Sequence, residues 1–184
     1  MAQIEKVNAA WDRIDKWYSE NFATAELPGG AAAADITALE THMSFTLPEE
    51  LKASLMRHNG VGYWKNGELL SVEGIKMDWE CWTGLVDDGT FDDWKVEDNA
   101  FLQKCWWNKS WIPIHADDCG NEYCIDMNPG PKGTVGQIIF MDREVGAFAP
   151  CNSDFASYLE EFANELESGE YSADGGYLGK IDEK

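Results

Sequence analysis

His115, Asp117, Asp118 and Cys119 crowd into one short stretch of the chain. A histidine oriented by an aspartate can take the proton from a thiol, which is how Cys/His hydrolases make their nucleophile. That chemistry needs base and thiol within hydrogen-bond reach, and near neighbours on one turn rarely supply the geometry. The same stretch offers metal chemistry on paper. Cys119 and Cys124 could open a zinc site, but no second Cys/His pair follows at zinc spacing. Asp117, Asp118 and Asn121 could give oxygens to calcium, but the regular alternating-acid loop with its closing glutamate is absent. Turn chemistry accounts for these residues more simply, because Asx side chains cap their own backbone. His42 and His58 fall near expected helix ends, far in sequence from His115. No P-loop, dinucleotide fingerprint or nucleophile elbow occurs. The expectation is a non-enzyme, with no catalytic residue, no cofactor and no metal.

Residues 87–98 are the sharper feature. Asp87, Asp88, Asp92, Asp93, Glu97 and Asp98 stand against Lys95 alone, with Phe91 and Trp94 embedded among them. A solvated acidic loop with aromatic pins is one reading. An acidic docking surface is the other, since complementary charge speeds and selects association. Trp64 lies beside an expected turn and Trp94 inside the acidic run. Half-buried packing is the plain expectation for both, and an exposed Trp ringed by charge would be an interface anchor. Trp106 and Trp107 are adjacent, so one of them could face outward. The candidate partner-binding residues are Asp87, Asp88, Asp92, Asp93, Trp94, Asp117 and Asp118.

The whole chain leans the same way. Its 184 residues carry 14 Lys and Arg against 34 Asp and Glu, a net charge of −20. Such a field repels phosphate backbones and anionic lipid, so neither nucleic acid nor membrane is an expected partner; a basic protein is. Nine Trp, eight Phe and six Tyr supply a core that a disordered chain would lack. No apolar run approaches the roughly 18 residues of a membrane span. The opening Met1-Ala-Gln-Ile-Glu-Lys-Val does not read as a secretory signal. Five scattered cysteines read as reduced thiols, so a cytoplasmic protein is expected and the Asn108-Lys109-Ser110 sequon is silent.

The elements that must hold these residues follow from periodicity. Ile4, Val7, Trp11, Ile14, Trp17 and Tyr18 predict a first helix, ended before Leu27-Pro28-Gly29-Gly30. Asp35 is a candidate cap for a short helix carrying Ile36, Leu39 and Met43. Leu47-Pro48-Glu49-Glu50 opens a third helix, and Asn59-Gly60 stops it. Val61–Lys65 and Glu68–Val72 flank Asn66-Gly67, a hairpin signal. Ser71 or Glu73 opens a helix with Ile75, Trp79, Trp82 and Val86 on one side, ended by Gly89. From Trp111 the pattern is a meander: 111–115, 122–127, 136–142 and a short 145–150. A last helix starts near Ser153 and carries Phe155, Leu159, Phe162 and Leu166. Residues 169–184 read as a polar, Gly-rich tail. Helices, then strands, then a helix give an α+β fold. Its sheet should be mostly antiparallel, of about 4–6 strands, backed by helices from both ends of the chain.

An ordered set of these motifs resembles a known family. Leu47-Pro48-Glu49-Glu50-Leu51 and Arg57-His58-Asn59-Gly60 are its first part. Trp111-Ile112-Pro113-Ile114, Asp118-Cys119-Gly120-Asn121, Cys124-Ile125-Asp126, Gly133, Gly136-Gln137-Ile138-Ile139 and the closing helix complete it. Together they resemble the SUKH superfamily, and within it the Smi/Knr branch of cell-wall assembly regulators. The resemblance covers residues 35–166 and implies one domain over 1–168, with 1–34 an N-terminal helix and linker. It departs from the family at Cys119, where a second glycine is usual, and in the acidic run 87–98. Most bacterial members resemble immunity proteins that bind and silence a toxin, so the resemblance implies a basic, nuclease-type toxin domain as partner. Fungal members imply the alternative, a regulatory interaction hub with no toxin.

Overall fold

Val7, Trp11, Ile14 and Tyr18 form the buried stripe of α1 (Gln3–Asn21) in the computed structural model. The structure describes residues 2–22, 27–117, 119–148, 150–174 and 177–181. Ile36, Leu39 and Met43 line the inner side of α2 (Ala33–Met43). Asp35, expected as its cap, is the third residue of the helix, within its first turn, and Ala32 holds the cap position. α3 (Glu49–Arg57) starts behind Pro48 with both acids in its first turn, where the dipole favours them. Its last residue, Arg57, bonds Asp12 at 2.7 Å and Asp15 at 2.5 Å, fastening α3 to α1. Gly60 then turns the chain at φ +82°, where a side chain would lie 2.7 Å from the Ser71 nitrogen.

The expected hairpin is present, displaced by one residue. β1 (Val61–Trp64) pairs with β2 (Gly67–Leu69) around a Lys65-Asn66 turn. Gly67 opens β2 rather than the turn, and a Cβ there would meet the Ala116 oxygen at 2.0 Å. α4 (Val72–Asp87) is capped by Ser71, whose side chain accepts from the Gly74 nitrogen. β3 (Trp111–Asp117), β4 (Glu122–Asp126), β5 (Gln137–Asp142) and β6 (Gly146–Ala147) complete an antiparallel sheet in the order β1-β2-β3-β4-β5-β6. Pro113 cannot donate to a ladder, and the register of this central strand slips between Pro113 and His115. Asp154 caps α5 (Phe155–Ser168) by accepting from the Ser157 nitrogen.

Side chains alternate across a sheet, and here both faces are covered. Ile112, Ile114, Ile125 and Ile138 face a core shared with α1, α3 and α5. Trp111, Cys124, Ile139 and Met141 face a second cluster, closed by Trp82 and Val86 of α4 and by Trp106 and Trp107. The long connection from α4 to β3 is therefore a covering layer for the second face. Tyr171–Asp174 (β7) and Tyr177–Lys180 (β8) form a separate antiparallel hairpin. Residues 169–184, expected as a tail, thus contain paired strands, and Tyr171 and Leu178 are buried in the main core. Their apolar spacing is too sparse to show as a strand pattern in sequence.

Candidate functional site

The aromatic residues between α4 and β3 stack outward from the sheet. Trp107 meets Trp111 edge-on at 5.5 Å and lies nearly parallel to Trp82 at 5.3 Å. Phe91 continues the stack over Trp82 and Trp106, each at 6.0 Å. Trp94 closes it, perpendicular to Trp106 at 4.3 Å and to Phe91 at 5.2 Å. Both Trp106 and Trp107 are buried, against the expectation that one faces outward; the sheet face beneath them needs both rings. Trp64 is also fully buried: its Nε1 donates to Tyr158 at 3.1 Å, inside the main core. Trp94 alone of the stack is exposed, at 44%.

A buried polar lock holds this layer to the sheet. Asp126 accepts from Trp111 Nε1 at 3.1 Å, from Gln137 Nε2 at 2.9 Å and from the Asn128 nitrogen at 2.9 Å. The last of these caps the turn that follows β4. Gln137 Nε2 also donates to the Phe101 carbonyl at 3.0 Å. The connection is thus anchored at its middle as well as at both ends.

The acidic residues sit on this base. Asp87 is the last residue of α4 and pairs with Lys109, so its charge is already answered. Asp88 spends one oxygen on Thr90, accepting from its nitrogen at 3.0 Å and its hydroxyl at 2.5 Å. Asp92, Asp93 and Trp94 are exposed beside one another. The sequence-predicted set therefore splits. Asp87, Asp88, Asp92, Asp93 and Trp94 share one rim. Asp117 lies in a separate groove with Tyr63, Lys65, Glu68 and Tyr177. Asp118 lies outside the described residues.

The Cys/His arrangement does not assemble. His115 is fully buried, stacked on Tyr123 at 4.9 Å, with Nδ1 2.9 Å from the Tyr158 hydroxyl. Burial, aided by Lys65, lowers its pKa to about 3, so it stays neutral inside the core. Cys119 is exposed in the β3–β4 turn. Asp117 does not orient the imidazole. It accepts from the Cys119 nitrogen at 2.8 Å and from the Asn121 nitrogen and side chain at 2.9 and 2.8 Å. Burial pushes its pKa up, but those hydrogen bonds prevail and hold it below the usual carboxylate range. Among the described residues, no three His, Cys, Asp or Glu side chains converge as metal ligands. Nor is any described helix long and apolar enough to cross a membrane.

One constellation escaped sequence reasoning. Glu122 is only 4% exposed, and its Oε2 has no hydrogen-bond partner. Burial first, and Asp78 of α4 second, raise its pKa to about 9. Asp78 itself is raised by burial and by Glu68. The available signal was the period of β4, which puts Glu122 on one face with Cys124 and Asp126.

These features define an α+β domain: a six-stranded antiparallel sheet and a separate two-stranded hairpin, with α1, α3 and α5 on one face of the main sheet and α4 with an acid-rimmed aromatic layer on the other. Comparison with known proteins gives the family. The SMI1 / KNR4 family (SUKH-1) model matches residues 30–161, and the chain belongs to that family. Similar proteins include the glucan synthesis regulatory protein of Neurospora crassa, 27% identical over 91% of this chain and 40% of that protein. The cell wall biosynthesis/cell cycle regulator smi1 of Schizosaccharomyces pombe is 29% identical over 91% of this chain and 38% of its own length. The cell wall assembly regulator SMI1 of Saccharomyces cerevisiae is 24% identical over 91% and 42%. The chain thus spans about two-fifths of the length of these relatives. They are named as regulators, which favours the hub alternative over the immunity role; no toxin partner is shown.

Proposed function

We propose that this domain is a regulatory protein-binding module of the cell-wall assembly regulator kind. Its docking face is the rim of Asp88, Asp92, Asp93 and Trp94, and its partner is a basic protein. The observation that carries the reading is Trp94, a large ring left 44% exposed against the buried Trp106 and bordered by the exposed Asp92 and Asp93. Protein interfaces concentrate their affinity in such anchored aromatics, and acids around them steer a basic partner. The regulator names of the relatives support the same class.

The test compares what the tagged wild-type protein and Trp94→Ala/Asp92→Lys/Asp93→Lys retain from a host extract, quantified by mass spectrometry. A stoichiometric partner lost at least tenfold by the variant, with unchanged circular dichroism, is the expected result. Equal recovery by both proteins would remove this rim from the interface.

A further inference from the structure

An exposed aromatic corner stands at the β1 edge of the main sheet. β1 is the outermost strand on its side, and no ladder among the described residues joins it to the β7–β8 hairpin. Between the β1–β2 and β7–β8 hairpins runs an open groove of about 490 Å³. Tyr63 of β1 and Tyr177 of β8 stand in it, perpendicular, with ring centres 6.1 Å apart. They are 43% and 70% exposed. The buried Phe22 braces Tyr63 at 5.4 Å. One ring is thus a floor and the other a wall. The two phenol hydroxyls and the exposed Asn66 amide give the same groove hydrogen-bond donors.

Tyrosines left out of a core present an apolar face and a polar tip, which suits them to a ligand. Three kinds of peptide could lie in such a groove. An added strand does not fit. The register of β1 is broken between Val61 and Trp64, and the Tyr63 carbonyl already accepts from the Tyr18 hydroxyl. An amphipathic helix needs a continuous apolar floor, and here Lys65, Asn66, Glu68 and Asp117 interrupt it. A polyproline II segment needs neither. Its proline rings pack on aromatic faces, its carbonyls are free to accept, and its conformation exists before binding, so little entropy is lost. Charge sets the flank of that segment. Glu68 is exposed in the groove, and none of the ion pairs among the described residues involves it. Lys65 is committed to Glu165 at 3.0 Å. Asp117 spends its oxygens on Cys119 and Asn121 and takes no part. We infer that this groove receives a proline-rich segment of a protein partner, with a proline in the corner of Tyr63 and Tyr177 and a flanking basic residue on Glu68. The groove shares no residue with the Trp94 rim, and the inference stands whether or not that rim is a docking face.

The experiment titrates the peptide Arg-Pro-Pro-Pro-Pro-Pro-Pro-Arg into the full chain at about 0.15 M salt, followed by amide NMR. A control peptide keeps both arginines and replaces every proline with alanine. The expected result is saturable binding of the proline peptide, with shifts centred on Tyr63, Asn66 and Tyr177, and binding of the alanine peptide about tenfold weaker or less. Tyr177→Ala should weaken the proline peptide about tenfold, as loss of an interface aromatic does. Its ring is 70% exposed, so the fold is retained. Glu68→Gln should weaken the arginine-flanked peptide and leave an uncharged polyproline peptide unaffected. Asp92→Asn/Asp93→Asn, on the rim, should change neither. Equal binding of the proline and alanine peptides would mean that charge alone attracts them, and would overturn the inference. So would full affinity in Tyr177→Ala, or no saturation by millimolar proline peptide. Binding weakened by Asp92→Asn/Asp93→Asn but not by Tyr177→Ala would overturn it too, and would leave the Trp94 rim intact as a docking face.

Discussion

Glu122 makes the stability of this protein depend on pH in an unusual direction. Its pKa in the folded protein is about 9, against an ordinary value of 4.5. Between those values the folded state holds a proton that the unfolded state has lost. Stability therefore falls as pH rises through this window, by up to about 1.4 kcal/mol per pH unit for one proton. From pH 6 to pH 8 the loss from this single group is about 3 kcal/mol. Glu122→Gln keeps the shape of the neutral carboxyl and removes the titration. It should be the more stable protein across the range, and its advantage over wild type should widen by about 3 kcal/mol between pH 6 and 8. For a chain of this size that is roughly 6–12 °C in melting temperature. Urea unfolding of both proteins at the two pH values measures the difference, and titrations common to both cancel. Parallel pH dependence of the two proteins would mean instead that Glu122 is ionised and solvated in the folded state.

Three further outcomes follow from the packing. Tyr158→Phe strands Trp64 Nε1 and His115 Nδ1 in the core, and should cost about 2 kcal/mol by denaturant unfolding; a neutral result would mean that these atoms find other partners. Gly67→Ala places a methyl against the Ala116 carbonyl and should destabilise by about 2 kcal/mol or more. An unaffected melting temperature would show that β2 can shift to make room. Leu178→Ala should lower stability by about 2 kcal/mol if β7–β8 packs on the core, whereas a frayed tail would leave it unchanged.

Much of the fold was legible because local signals agreed with the global arrangement. The stripe of α1, the Ser71 cap and the β3–β5 meander each follow from periodicity or capping chemistry. What escaped depends on contacts distant in sequence. Trp106 and Trp107 lie in a connection without periodicity, and only the sheet face beneath them explains why both are buried. Tyr171 and Leu178 are isolated apolar residues in a Gly-rich stretch, and their burial requires the core that β7–β8 meets. The candidate site was legible as an acidic run with embedded aromatics. Sequence could not show that Trp94 stands on Trp106, that Lys109 answers Asp87, or that Asp117 belongs to a different groove. Glu122 was hidden for a general reason: a glutamate in a strand is ordinarily solvated, and its burial here depends on α4 crossing above it.

The Asp88–Trp94 rim is the docking face of the proposed function, and its partner there is a basic protein. With that partner in hand, the most direct measurement is its association rate at several salt concentrations, for wild type and for Asp88→Lys/Asp92→Lys/Asp93→Lys. Asp87 is left in place because Lys109 already neutralises it. The variant should associate at least tenfold more slowly at low salt and lose most of the wild-type salt dependence. Identical rates and identical salt dependence would contradict the rim as the docking face.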